Sequence, residues 1–286
     1  MKIHKIDLHM HSTVSDGTDK PEEILEKVKA AGIDLFSLTD HDAIMGCVTI
    51  KKHLGEDDPS FLSGVEFSCR DEFGKYHILG YGYDPSAGSV SSLVEEGHNA
   101  RFEKLGLRLK ALQDTFGISF SDEEKSLLYE LNNPGKPHIA NLLVKYGYAD
   151  TKDGAFAKYL NQLRIPNLQF RPEKAISAIL ESGGIPILAH PSHGSGDELI
   201  LGEDMEIRLK RLMNFGLKGL EAYYSKFPPA LQNELLGLAE KYDLYVTAGS
   251  DYHGKNKSIP LGANHLDDVD SACSGLWRFL EDVPLR

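Results

Sequence analysis

Seven short apolar runs, most of them followed by a helical pattern, limit the possible folds of this chain more than any other feature. The runs lie near residues 4–9, 35–39, 61–69, 76–83, 185–189, 219–224 and 244–249. Helical patterns follow over about 20–31, 43–54, 204–215, 229–242 and 271–282. Only a short turn separates the third run from the fourth. Alternation of strands and helices predicts an α/β sheet or barrel.

Four consecutive helical patterns interrupt this alternation between about residues 90 and 170. The segment "RPEKAISAILESGG", with Pro172 near a helix start and a glycine pair at its end, restarts the α/β pattern. We therefore predict an α/β body formed by residues 1–89 and 171–286, with a helical insert over residues 90–170.

Composition excludes several classes of protein. The formal net charge of −12 argues against binding of extended duplex nucleic acid, which needs a basic surface. Three cysteines without a C-x-x-C pair predict no disulfide framework and a reducing compartment. No signal-peptide pattern and no apolar run of about 20 residues is present, so we expect a cytoplasmic protein without membrane contact.

Histidines and carboxylates recur where the predicted strands end. In "DLHMHS", His9 and His11 are two residues apart, so a strand would direct both to one face, and Asp16 could return to them from the loop. The other runs contribute Asp40, His41, Glu66, His77, His190, Glu221, Asp251 and His253. Because functional residues gather at the carboxyl ends of parallel strands, we expect these side chains to meet at one rim.

A single histidine at a strand end is most often an ordinary hydrogen-bonding residue, and we leave His4, His53, His98 and His265 with that interpretation. It explains the complete set poorly, because many independent coincidences would be needed. Nitrogen and oxygen donors without a cysteine motif favour Mn²⁺, Fe²⁺ or Zn²⁺. The candidate ligands exceed what one ion needs, so we predict two or three ions, with a carboxylate such as Glu66 bridging two of them.

Such a site predicts metal-assisted hydrolysis by a metal-bound hydroxide, with a phosphoester ahead of an amide as the substrate bond. The sequence has no G-x-S-x-G segment that would mark a serine nucleophile. It also has no P-loop, which argues against a kinase or a nucleotide-driven motor.

In order along the chain, the motifs "DLHMHS", "DG" at 16–17, "LTDHD", "GVEFS", "LAHP" and "GSDYH" resemble those of the PHP (polymerase and histidinol phosphatase) family. The segment "GKPHIANLLV" in the insert resembles the subgroup that acts on nucleoside 3′,5′-bisphosphates and, from the 5′ end, on short RNAs. The resemblance implies a distorted (β/α)₇ barrel and a site for three divalent ions, usually manganese.

The resemblance also implies how the ligands are shared. One ion would take His9, His11, Glu66 and Asp251; a second would share Glu66 and add His77 and His190; the third would take Asp16, His41 and His253. We expect Asp16 to be catalytic as well. In "LAHPSHG" we choose His190 as the ligand because it directly follows the strand, and we expect His193 to bind substrate. Either His193 or a metal-bound water would protonate the leaving oxygen. Glu221 is expected to support a ligand.

Basic residues of the insert are candidates for substrate binding. Arg101, Lys104 and Arg108 share one face of a predicted helix, with His98 three residues before the first of them. A solvated charged face is one interpretation, and a site for a second phosphate is the other. The resemblance favours the second for Arg101 and for His138, and we include Lys104. The weaker candidates are Lys136, Arg171 and Lys226.

The leading hypothesis is a phosphatase that removes the 3′-phosphate of nucleoside 3′,5′-bisphosphates and also acts on short 5′-phosphorylated RNA. Its expected partner is a small phosphorylated nucleotide or a short RNA as substrate, and the sequence leaves the oligomeric state open. The alternatives are a histidinol-phosphate phosphatase, a metal-dependent amidohydrolase and a PHP module without catalytic activity.

Overall fold

The computed structural model describes residues 3–131, 134–194 and 198–284. It contains a strand at each of the seven predicted places. The strands are β1 Ile6–Asp7, β2 Leu35–Leu38, β3 Ser60–Asp71, β4 Gly74–Tyr81, β5 Ile185–Leu188, β6 Gly219–Tyr224 and β7 Tyr245–Gly249. They form one sheet in chain order, from β1 to β7.

This sheet is mixed and nearly closes into a barrel. Strand β4 is antiparallel to both β3 and β5, whereas the remaining neighbours are parallel. At the seam, the amide of Leu8 donates to the carbonyl of Ala248 at 2.9 Å, and Met10 forms a parallel bridge with Tyr252. The chain is therefore an α/β protein with the barrel-like sheet that the sequence predicts.

The reversed direction of β4 has a direct effect on the rim of the barrel. Strands β3 and β4 are joined by a tight turn between Asp71 and Gly74, so they pair as a hairpin. The amino end of an antiparallel strand lies beside the carboxyl ends of its parallel neighbours. His77, near the start of β4, therefore reaches the same rim as residues that follow β1, β2 and β5.

Within the described ranges, six α-helices lie wholly in the barrel unit. They are α1 Pro21–Ala30, α2 Met45–His53, α7 Pro172–Glu181, α8 Gly202–Met213, α9 Pro229–Lys241 and α10 Ser274–Asp282. In α1, Ile24, Leu25 and Val28 are buried, as their spacing predicts. This apolar face packs in one cluster with Met10 and Phe36 from the strand side.

The chain divides into two compact units, one of Met1–Val94 with Phe170–Arg286 and one of Glu95–Gln169. Helix α3 (Ser89–Phe116) begins in the first unit. The second unit continues with α4 Asp122–Tyr129, α5 Lys136–Lys145 and α6 Lys152–Ala155, which runs into a π-helical turn at Phe156–Leu160. Leu105, Leu112, Ile139, Leu143 and Leu160 belong to a core of its own. Within the described ranges, no helix is long and apolar enough to cross a membrane.

Candidate metal centre

The carboxylate of Glu66, buried in the middle of β3, lies at the centre of a histidine cluster. Its Oε1 atom is 2.9 Å from His77 Nδ1 and 3.2 Å from His190 Nε2. Its Oε2 atom is 3.4 Å from His9 Nε2, 3.2 Å from His11 Nε2 and 2.9 Å from His41 Nδ1. Five imidazoles from four strand ends thus face one carboxylate, which suits an oxygen donor that bridges metal ions.

Two of these buried atoms face each other without hydrogen bonding. Glu66 Oε2 and His41 Nδ1 are 2.9 Å apart, yet neither atom has a hydrogen-bond partner among the described residues. Buried polar atoms almost always have a partner, so the exceptions need an explanation. A divalent cation that accepts a lone pair from each atom would satisfy both, and the donor set therefore fits a metal.

A second group lies where β1 and β7 end. His9 Nε2 is 3.2 Å from His11 Nε2 and 3.7 Å from Asp251 Oδ1, and His11 Nε2 is 3.4 Å from that oxygen. Ligand atoms that share one ion at about 2.1 Å would lie about 3.0–3.4 Å from one another. The spacing of this group is close to that value.

Asp16 organises a third group. Its Oδ1 atom is 3.2 Å from His253 Nε2 and 3.7 Å from His11 Nδ1, and its Oδ2 atom is 3.9 Å from His41 Nε2. One ligand atom from each of these four residues lies within 4.8 Å of the others. The side chain of Asp16 is 52% exposed, whereas His11 is fully buried. Solvent therefore reaches this group at Asp16.

All nine predicted ligands come together at one rim, and two of them belong to more than one close group. His11 belongs to the Asp251 group and to the Asp16 group, and His41 belongs to the Asp16 group and to a group with Glu66 and His77. Of the two histidines in "LAHPSHG", His190 is the one that contacts Glu66. Among the described residues, His193 belongs to none of these groups.

Hydrogen bonds behind the cluster set the orientation of two imidazoles. His9 Nδ1 donates to Glu221 Oε1 at 2.9 Å, and His253 Nδ1 donates to the carbonyl of Asp251 at 2.8 Å. In both rings Nε2 is then the atom with a free lone pair, which is the state that binds metal. Glu221 Oε2 also accepts from the amide of His190 at 2.8 Å, so Glu221 supports two chain segments, as expected.

The charges of the cluster are strongly coupled. Burial alone would lower the pKa of His41, but the carboxylates of Glu66 and Asp16 outweigh it and raise that pKa to about 9. Burial would raise the pKa of Glu66, yet the facing histidines hold it well below its usual value. For His253 burial dominates, followed by the charge of His11, and the pKa falls to about 4.

Several residues that the sequence did not single out shape the centre. Asp251 Oδ2 accepts from Tyr224 Oη at 2.8 Å and from Lys257 Nζ at 2.5 Å, which leaves Oδ1 directed at the histidines. Gly249 has space for hydrogen only, because a Cβ atom there would be 2.2 Å from the Cβ of His9. The position of Tyr224 at the end of the strand-like run "GLEAYY" was a sequence signal that could have identified it. Lys257 lies in a segment without a periodic pattern, so the sequence offered no such signal for it.

Asp40, a candidate from its strand-end position, has a different role. It is buried and accepts from the amide and hydroxyl of Ser12, both at 2.8 Å, and from the hydroxyl of Ser15 at 2.7 Å. It therefore fixes the loop that leads from His11 to Asp16.

The candidate substrate residues fall in both compact units. The ring of His193 lies 5.3 Å from that of His190 and 5.5 Å from that of Tyr224. Burial, and then the charge of His190, lower the pKa of His193 to about 4. Arg171 forms ion pairs with Glu72 and Glu173, which occupy its guanidinium.

Arg101, Lys104 and Arg108 lie on α3 in the second unit, as predicted for one helix. The Nε atom of Arg108 is buried and has no hydrogen-bond partner among the described residues. His138 Nδ1 accepts from the amide of Gly135 at 3.1 Å at the start of α5. In the same helix Lys136 donates to Asn161 at 3.1 Å.

The barrel and its rim of histidines and carboxylates define a metal-dependent hydrolase. Residues 7–158, more than half of the chain, match the PHP domain, and the chain belongs to the PHP family of metal-dependent phosphoesterases. A solved structure from Bifidobacterium adolescentis, assigned as a metal-dependent phosphoesterase, is 30% identical, with a TM-score of 0.78 over 97% of this chain and 96% of its own.

Two relatives of known function match nearly the whole chain. A 3′,5′-nucleoside bisphosphate phosphatase from Chromobacterium violaceum is 28% identical over 98% of each chain. A 5′-3′ exoribonuclease from Haemophilus influenzae is 29% identical over 93% of this chain and 96% of its own. The protein is thus a phosphoesterase related to bisphosphate phosphatases and exoribonucleases.

Proposed function

We propose that this enzyme removes the 3′-phosphate from nucleoside 3′,5′-bisphosphates. The observation that carries the proposal is the single buried carboxylate of Glu66 facing five imidazoles, because such a donor set suits several ions and a multiply charged substrate. The similarity to a bisphosphate phosphatase along nearly the whole chain supports this choice of substrate.

We propose that nine residues hold three divalent ions: His9, His11, Asp16, His41, Glu66, His77, His190, Asp251 and His253. Their mixed nitrogen and oxygen donors suit Mn²⁺, Fe²⁺ or Zn²⁺, and the resemblance to the PHP family favours Mn²⁺. When bound, such ions activate water and neutralise the charge that develops on a phosphoryl group. Glu221 and the carbonyl of Asp251 keep the lone pairs of His9 and His253 directed inward. Tyr224 and Lys257 keep Asp251 Oδ1 directed at the same point.

We assign Asp16 and His193 to the reacting side of the site. Asp16 is the most exposed carboxylate of the three groups, so it is the one most accessible to incoming water. His193 is neutral at pH 7, because its pKa is about 4, and a bound phosphate would raise that pKa and favour its protonated form. In that form it donates a proton to the leaving 3′-oxygen.

Arg101, Lys104 and His138 are proposed to bind the phosphate that is not hydrolysed. Guanidinium and ammonium groups are the usual partners of phosphate oxygens. Burial and the nearby Lys152 lower the pKa of His138, so it would act as a neutral hydrogen-bond donor. We infer that the helical unit acts as a substrate cap, which would explain why a phosphatase carries a separate core of this size.

Phosphate release from adenosine 3′,5′-bisphosphate with added Mn²⁺ tests this function. Adenosine 5′-monophosphate, histidinol phosphate and an N-acyl amino acid are the matched alternatives, each run with and without chelator. Release that is fastest from the bisphosphate and is lost with chelator supports the proposal. Faster release from histidinol phosphate, or amide cleavage alone, would contradict it.

Exonuclease action on short 5′-phosphorylated RNA is the second candidate function. The similarity to a 5′-3′ exoribonuclease over 93% of this chain favours it. A five-nucleotide RNA with a 5′-phosphate would be shortened from that end, whereas the same RNA with a 5′-hydroxyl would not. Equal cleavage of both RNAs would show that the 5′-phosphate is not recognised.

A further inference from the structure

Tyr252 lies between two proposed ligands, Asp251 and His253, but its side chain points away from them. The ring is 9% exposed and packs in the cluster that contains Met10 and Ile24, the latter from α1. Its carbonyl accepts from the amide of His11 at 2.8 Å. The backbone of Tyr252 thus belongs to the metal rim, whereas its side chain belongs to the layer behind the rim.

The phenol of Tyr252 bonds to a buried carboxylate, Asp19, which also pairs with the partly exposed Lys27. Its hydroxyl donates to Asp19 Oδ2 at 2.5 Å, and Lys27 Nζ donates to the same oxygen at 2.6 Å. Lys27 Nζ is also 3.1 Å from the phenol oxygen. Asp19 is 8% exposed, so its charge depends on these two donors for compensation.

Asp19 ends the loop that carries Asp16, and this loop is tied to the segment after His253. The amide of Lys255 donates to Thr18 Oγ1 at 2.8 Å, and Asn256 Nδ2 donates to the carbonyl of Asp16 at 2.7 Å.

Gly254 shows how close the two segments come. It has a φ of +63°, and a Cβ atom there would be 2.1 Å from Thr18 Oγ1 and 3.0 Å from Asp19 Oδ2. Only glycine adopts this backbone conformation readily and leaves space for such an approach. Asp16 and His253, which face each other at 3.2 Å, are therefore held by one interlocked pair of loops.

We propose that Tyr252, Asp19 and Lys27 are positioning residues that set Asp16 and His253 at the separation needed to bind one metal ion. The inference rests on the proposed function, because it requires that these two residues bind an ion. Asp16 lies in an irregular loop, so neither a helix nor a strand fixes its carboxylate. Asp40 fixes the start of this loop through Ser12 and Ser15, and the bonds from Tyr252 and Lys27 to Asp19 fix its end, whereas Glu66 is fixed by the β3–β4 ladder.

Tyr252→Phe is the direct test, since it removes one hydroxyl and keeps the ring. Tyr245→Phe is a matched control, because the Tyr245 hydroxyl also donates to a carboxylate, Asp282, at 2.6 Å, but on the outside of the barrel. Metal content would be measured by elemental analysis after dialysis against graded free Mn²⁺. The expected result is that the weakest-bound ion of Tyr252→Phe binds about tenfold or more weakly, with the other ions unchanged.

The activity profile gives an independent readout. For Tyr252→Phe the Mn²⁺ concentration that gives half-maximal phosphate release should rise by a similar factor, while kcat at saturating Mn²⁺ stays near the wild-type value. Lys27→Met, which removes the outer donor and keeps the phenol, should shift the same concentration in the same direction by less. Lys27→Met also tests the proposal if Tyr252→Phe does not fold.

The possible failures are distinguishable. If Tyr252→Phe and Lys27→Met bind Mn²⁺ as the wild type does, or if they bind all ions more weakly to the same extent, the positioning role is overturned and the proposed function stays intact. A wild-type protein that binds no Mn²⁺ would overturn the proposed function, and this inference with it.

Discussion

At the scale of single residues, the centre depends on one carboxylate and on the small space around it. The Glu66 carboxylate faces five of the proposed histidine ligands. The positions of these ligands depend in turn on residues that bind no metal, such as Glu221 and Gly249. Substitution of a proposed ligand, Glu66, and of a supporting residue, Gly249, should therefore have different measurable effects.

Glu66→Gln keeps the shape of the side chain and removes the charge that the facing imidazoles compensate. We expect phosphate release to fall at least about 100-fold, because removing a bridging ligand should cost no less than losing an outer-shell partner. Metal content per chain, measured alongside, should fall by one ion or more. The control is Glu206→Gln, a carboxylate paired with Lys210 and Lys241 on the surface. Full metal content and activity in Glu66→Gln would contradict the central role of this residue.

Gly249→Ala should displace His9 and so disturb the metal centre. The added methyl group would lie 2.2 Å from the Cβ of His9 and 2.4 Å from Glu221 Oε1, so β7 and His9 must move apart. We expect a loss of about 1–3 kcal/mol in the free energy of unfolding, measured with denaturant, together with weaker metal binding.

Gly237→Ala is the matched control for this change. The residue is in helix α9, and apart from its two chain neighbours and the backbone of its own helix, no described atom lies within 4 Å of the position a Cβ would take. It should gain about 0.5–1 kcal/mol because alanine favours the helix. Equal stability of the two variants would show that the space at Gly249 is not limiting.

At the scale of elements, sequence periodicity predicted the strands and helices well, because each buries one regular apolar face. The alternation of apolar residues placed β3 and β4 on either side of a short turn, and the apolar face of α1 followed from the spacing of Ile24 and Val28. Loop contacts were not predictable in this way. The bonds of Asp40 to Ser12 and Ser15 depend on an irregular backbone that no period describes.

Burial within a helix and a strand should lower the reactivity of two of the cysteine thiols. Cys47 on α2 and Cys69 on β3 are buried, and burial raises the pKa of the Cys47 thiol to about 12 and that of the Cys69 thiol well above its usual value. Cys273, at the start of α10, is partly exposed. In the folded protein at pH 8, a thiol reagent should modify Cys273 alone, and all three thiols after denaturation, as counted by mass spectrometry. Rapid modification of Cys47 in the folded protein would contradict its burial.

At the scale of the whole molecule, the sequence predicted that the candidate ligands meet at one rim, and the assignment of each ligand to an ion stays a prediction. The order of motifs along the chain was enough to bring nine side chains together, since the barrel collects its strand ends at one edge. Which histidine faces which carboxylate depends on side-chain rotamers and on the antiparallel direction of β4. His11 and His41 each belong to two groups for that reason.

The charge coupling of the rim predicts that metal binding releases protons. In the metal-free protein His41 has a pKa of about 9, so at pH 7 it holds a proton that a metal ion must displace. Affinity for Mn²⁺ should therefore rise as the pH rises toward about 9. Isothermal titration at pH 7 in two buffers of different ionisation enthalpy should show release of at least one proton per chain. A binding enthalpy that is independent of the buffer would contradict this coupling.

The most direct test of the central claim is to count bound ions and follow hydrolysis in the same sample. The purified protein would be stripped with chelator, reloaded with increasing Mn²⁺, and assayed for phosphate release from adenosine 3′,5′-bisphosphate at each step. We predict that activity is lost on stripping, returns on reloading, and reaches its maximum only when about three ions are bound per chain. Full activity in the stripped protein, or maximal activity with one ion bound, would contradict the account of a shared, carboxylate-bridged centre.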